Sequence, residues 1–63
     1  MLHMIMKVTS KRNPKKVARI FKSDNPIFKD YIVKVRVDDN LVSSYFTDNR
    51  IDAVQEAQLA VSQ

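Results

Sequence analysis

Not one glycine occurs in these 63 residues, and that absence constrains the fold more than any other feature. Tight turns need backbone dihedrals that glycine supplies freely. Without it they fall to Asn and Asp, which tolerate the left-handed region, and to Pro, which presets φ. Three such punctuators stand in the chain: Arg12-Asn13-Pro14, Asp24-Asn25-Pro26 and Asp38-Asp39-Asn40. They divide it into four apolar pieces. The same absence excludes Gly-rich phosphate loops of every kind.

The clearest piece is residues 30–37, where Tyr31, Val33, Val35 and Val37 alternate with Ile32, Lys34 and Arg36. That period of two, rich in β-branched residues, predicts a half-buried strand. Residues 41–47 read as a second strand after the Asp/Asn turn. A two-residue loop pairs odd positions of the first strand with even positions of the second. Val33, Val35 and Val37 then share a face with Val42, Ser44 and Phe46. Ile32, Lys34 and Arg36 share the other with Ser43, Tyr45 and Thr47, and a three-residue loop would exchange these faces.

Residues 49–62 read as a helix, with Thr47, Asp48 or Asn49 as N-cap and Asp48 and Asp52 at the positive end of the dipole. At 100° per residue, Val54, Ala57 and Val61 centre an apolar stripe flanked by Ile51, Ala53 and Ala60, while Asp52 and Glu56 point outward. Leu59 falls on the polar side. Residues 15–22 admit two readings. Asn13 as N-cap with Pro14 behind it suits a short helix. A strand is favoured, because a lone hairpin and one helix make a poor core that a third strand repairs. Residues 2–8 alternate weakly, so 1–14 is either an added edge strand or a flexible arm.

A single small domain over 1–63 is all this length accommodates, and about 60 residues bury only roughly 60% of their unfolded surface. With no Cys there is no disulfide staple and no thiolate metal site. The chain therefore forms a tight monomer or a homo-oligomer whose interface completes the core. No apolar run reaches the roughly 18–20 residues of a membrane span. Residues 1–6 lack the basic start and small-residue cleavage site of a secretory signal, so a cytoplasmic setting is expected and no membrane partner.

Charge is divided along the chain. Residues 1–37 hold ten bases and two acids, a balance of +8; residues 38–63 hold one base and five acids, a balance of −4, which together recover the net +4. Such asymmetry builds opposed basic and acidic surfaces, or lets the two halves attract each other in the fold. Catalysis lacks its components. The one histidine, His3, sits near a terminus, Ser43 and Ser44 have no His/Asp partner nearby, and Asp38 and Asp39 serve a turn. No enzyme, no cofactor and no metal site is expected. Lys11, Arg12, Lys15 and Lys16 form a basic run around a proline turn, which reads as a phosphate-contacting loop or as a solvated one. Lys34, Arg36 and Tyr45 are expected on one open sheet face, where the tyrosine ring could stack on an unpaired base.

The order of elements now invites comparison. A strand over Ala18–Lys22, a link carrying Phe28, a strand over Tyr31–Val35, the run Tyr45-Phe-Thr-Asp48 and a helix containing Asp52-Ala-Val-Gln-Glu-Ala57 resemble a recurring kind of short open reading frame in tailed bacteriophages. The resemblance covers about residues 16–61 and implies a viral accessory role in the host cytoplasm. A second resemblance is to HicB-type antitoxins, whose βββα unit ends in a helix spaced like Thr47 to Ala57; the chain departs from them in lacking a Pro- and Gly-containing turn before the last strand.

The expected fold is α+β: a three-stranded antiparallel sheet, with room for an extra N-terminal strand, packed by one C-terminal helix. Its expected core is Ile20, Val33, Val35, Val42, Phe46, Val54, Ala57 and Val61. The expected function is a small non-enzymatic regulatory or inhibitory protein, phage-encoded, acting by binding a host protein. The alternative is a DNA- or RNA-binding protein that uses the sheet face and N-terminal loop. Under either reading the contact residues are Lys11, Arg12, Lys15, Lys16, Lys34, Arg36 and Tyr45.

Overall fold

Where glycine is missing, aspartate takes its place. In the computed structural model, which describes residues 2–23 and 30–62, Asp38 and Asp39 adopt φ of 55° and 68°. Two successive positive φ values make a type I′ turn, whose twist matches that of the strands it joins. At the other loop, Lys16 N–H donates to the Asn13 carbonyl at 2.9 Å and Lys15 N–H to Asn13 Oδ1 at 3.1 Å. Asn13-Pro14 thus starts a turn and caps no helix. Ser10, almost fully buried, anchors this loop: its hydroxyl accepts from Asn13 N–H at 3.1 Å, and its own N–H donates to the Lys16 carbonyl at 3.0 Å. Asp24-Asn25-Pro26, expected to be a turn, and Phe28 lie outside the described residues.

The Asn13-Pro14 turn joins β1 (Leu2–Thr9) to β2 (Lys16–Ser23), the Asp38-Asp39 turn joins β3 (Tyr31–Val37) to β4 (Asn40–Thr47), and α1 (Arg50–Ser62) follows. The four strands form one antiparallel sheet in chain order, and α1 lies on one face, chiefly over β2 and β3. This is the expected α+β architecture, with residues 2–9 as the extra N-terminal strand and 16–23 as strand. Asn49 is the N-cap. Its Oδ1 accepts from Ile51 N–H at 2.8 Å and Asp52 N–H at 3.2 Å, satisfying two donors that the first helical turn leaves open.

The core sits between α1 and the two central strands. Ala18 and Ile20 from β2, Val33 and Val35 from β3, and Ala53, Ala57 and Val61 from α1 are buried. Residues 53, 57 and 61 fall at i, i+4, i+8, one stripe of the helix, and the alanines let its backbone approach the sheet. Five of the expected core residues are there (Ile20, Val33, Val35, Ala57, Val61), and Val54 packs at the rim. Ile51, expected to flank the stripe, is 69% exposed, because the stripe runs through Ala53 and turns Ile51 outward.

Val42 and Phe46 are corrections: they are 57% and 66% exposed. The two-residue turn is as expected, and Val37↔Asn40 and Arg36↔Leu41 pair as it requires. Between Val35 and Arg36 the register then shifts, so that Val35 pairs with Ser43 and Val33 with Tyr45. Val42 is the extra residue of a β-bulge. Because side chains alternate faces, a one-residue slip moves everything beyond it to the opposite side. Tyr45 therefore goes under the helix and Phe46 to the uncovered face.

Candidate functional site

Directly opposed residues of an antiparallel pair share a face, so the register maps the side of the sheet that α1 leaves open. One row runs across all four strands as Met4–Phe21–Ile32–Phe46, and the next as Lys7–Arg19–Lys34–Ser44. A third holds Thr9, Val17, Arg36 and Leu41. The first row is apolar and half aromatic, with Phe46 and Met4 the most exposed at 66% and 53%. The second places three cations abreast on adjacent strands about 4.8 Å apart.

Like charges directly opposite each other destabilise a sheet, and among the described strand residues no carboxylate on this face offsets them. No Asp or Glu stands at an open-face position of the four strands. Among the described residues neither Lys7 nor Arg19 is paired with a carboxylate. Lys34 Nζ lies over the Phe21 ring, 5.3 Å from its centroid, a cation–π contact that ties the two rows together. Arg36 extends the basic surface and donates to the Asp39 carbonyl at 3.2 Å. The described acids lie off the strands: Asp52 and Glu56 on the helix, Asp38 and Asp39 in the β3–β4 turn, and Asp30 and Asp48 at the end of the sheet beside Phe46.

The anticipated contact residues fall in three places. Lys34 and Arg36 are on the open face, as expected. Lys11, Arg12 and Lys15 are exposed in the β1–β2 loop; Lys15 Nζ is 3.5 Å from Asp38 Oδ1, and Lys11 and Arg12 line a surface groove with Val61 and Ser62 at the C-terminal end of α1. That position puts two cations by the negative pole of a helix that has no base in its own last turn. Lys16 stands in line with Ala18 and Ile20, hence on the helix side, beside Glu56 and Ala60.

Tyr45 is corrected in the same way. It pairs with Val33 on the helix side, and its hydroxyl donates to Asp52 Oδ2 at 2.7 Å. The ring is therefore unavailable to the open face, and Asp52, expected to point into solvent, is its partner. Phe46, Phe21, Arg19 and Lys7 complete the face and were not anticipated. Arg19 and Phe21 alternate with buried Ala18 and Ile20, a signal that is readable once residues 16–23 are taken as strand. Phe46 carries no such signal.

The Tyr45–Asp52 bond sets a pH dependence. Donation from Tyr45 first, and from the Thr47 hydroxyl second, holds the Asp52 carboxyl below its ordinary 3.8. Tyr45 is raised above 10.0, chiefly by bonding to that carboxylate, then by burial and by the charges of Asp52 and Glu56. A depressed carboxylate stabilises the fold above its unfolded value and ceases to as pH falls through its folded one. A raised phenol stabilises the fold below pH 10.0 and ceases to as pH climbs through its folded value. Tyr45→Phe should therefore flatten the stability profile in both windows, below pH 3.8 and above pH 10.0. Urea midpoints of both proteins across pH measure this; parallel profiles would show that the bond contributes nothing in solution.

Among the described residues no group of three His, Cys, Asp or Glu could hold a metal ion, and no helix is long and apolar enough to cross a membrane. Comparison with known proteins returns no matching family model, no similar curated protein and no similar solved structure.

Proposed function

We propose that this chain is a non-enzymatic nucleic-acid-binding protein whose interface is the open face of its sheet. The observation that carries the reading is the row Lys7–Arg19–Lys34, three cations in register on adjacent strands with no acid among them. In isolation the row costs stability. Against a polyanion it becomes the main source of affinity, because each phosphate neutralised releases a condensed counterion. The apolar row beside it supports nucleic acid over a simple acidic protein surface, which would leave Phe46 and Met4 in water. If Lys7, Arg19, Lys34 and Arg36 each neutralise one phosphate, log K against log salt should have a slope of about −2.8 for a single strand. Fluorescence anisotropy with a labelled oligothymidylate at several salt concentrations reads this directly. Absence of binding at low salt would overturn the proposal.

A protein partner is the second reading, supported by β1. This edge strand is exposed along its length except at Val8 and carries Leu2, Met4, Ile5 and Met6. A strand edge of that composition is a template for pairing with another chain, either a host protein, as the resemblance to phage accessory proteins implies, or a second copy completing a larger sheet. Sedimentation at several concentrations separates a self-associating edge from a monomeric one.

A further inference from the structure

Building on the nucleic-acid reading, we infer that the open face takes unpaired rather than duplex nucleic acid and that Phe46 is its stacking residue. The two rows set out the ligand. Phe21 and Arg19, Ile32 and Lys34, and Phe46 and Ser44 are each two residues apart on one strand, so the apolar and cationic rows run side by side, separated by about 6.6 Å. Bases belong on the first and the sugar–phosphate backbone along the second. A carboxylate boundary fixes that order: Asp30 and Asp48 line a depression with Phe46 and Thr47 at the end of the sheet beyond the apolar row. Phosphates are repelled from that end and drawn to Lys7, Arg19 and Lys34.

Duplex cannot use this surface in full. Four strands span about 14 Å between the outer backbones before side chains are counted, whereas the major groove is about 12 Å wide and admits two strands. A duplex would touch the cations through its phosphates and leave the apolar row wet, its bases being stacked on one another. An unpaired strand brings its own faces to the ring. Of the two phenylalanines, Phe21 lies under Lys34 Nζ, whereas Phe46 is 66% exposed with no cation over it among the described residues. Ser44 is the one neutral hydrogen-bonding side chain in the cationic row, so little base-edge readout is built in and recognition should be tolerant of sequence.

The experiment compares a labelled short single strand with a duplex of the same length at one fixed salt concentration, for the wild type, Phe46→Ala and Phe46→Tyr. The wild type should prefer the single strand by at least about tenfold. Phe46→Ala should weaken single-strand binding by about fivefold or more while leaving duplex affinity and salt slope unchanged, and Phe46→Tyr should restore the preference. Equal wild-type affinity for both forms, or an equal loss on both with Phe46→Ala, would overturn the stacking inference and leave the cationic interface standing. No binding of either form at low salt would overturn both.

Discussion

Ile20→Ala is expected to remove a large part of this protein's stability, and Phe46→Ala very little of it. The core is small even for this length. Three of its seven buried apolar residues are alanines, and Ile20 and Val33 are its only large side chains that are fully enclosed among the described residues. Truncating such a side chain costs about 2–5 kcal/mol, the cavity adding to the lost transfer energy. A chain of this length has about 3–9 kcal/mol in total. The urea midpoint of Ile20→Ala should fall by about a fifth or more, and the variant should be substantially unfolded at the low end of that range. Phe46 is larger but stands mostly in water, so its truncation should stay within about 0.5–1 kcal/mol. The comparison is also a test of the β4 register. Without the bulge at Val42, Phe46 would face the helix and its alanine variant would be the worse of the two; that result would sink the face assignment and everything built on it.

The features that were legible in the sequence are those that need only one element to be read. Val33, Val35 and Val37 against Ile32, Lys34 and Arg36 is a period of two within a single strand, so the outward placement of Lys34 and Arg36 did not depend on any neighbour. Asn49 as a cap and Asp38-Asp39 as a turn are equally local. What was not legible is relational. Val42 is one β-branched residue between Leu41 and Ser43, and nothing in its identity distinguishes a paired residue from a bulged one. Yet that single insertion exchanges Tyr45 and Phe46. Residues 15–22 follow a cap-like Asn13-Pro14 that serves a turn, and with helix and strand both open the outward placement of Arg19 and Phe21 stays unread. The helix stripe was displaced toward Val54 because alanines at 53, 57 and 60 provide little contrast by which to orient a face.

Arg19→Glu should move stability and binding in opposite directions. Arg19 lies between Lys7 on β1 and Lys34 on β3, so one substitution turns two repulsive cross-strand pairs into two attractive ones. Each such pair is worth roughly 0.2–1 kcal/mol, at the lower end for side chains that reach solvent. A net gain on the order of 0.5 kcal/mol is expected, read as a higher urea midpoint with an unchanged slope. The same carboxylate lies in the path assigned to the phosphates. It removes one counterion-releasing contact and repels its neighbours, so the salt slope should become shallower than about −2.1 and low-salt affinity should drop by an order of magnitude or more. Adding Lys34→Glu should abolish measurable binding. A merely structural role for Arg19 predicts that affinity follows stability, and unchanged affinity with raised stability would remove the open face as the interface. A cation whose loss stabilises the fold and weakens the complex is placed there for a ligand, since the fold by itself is better off without it.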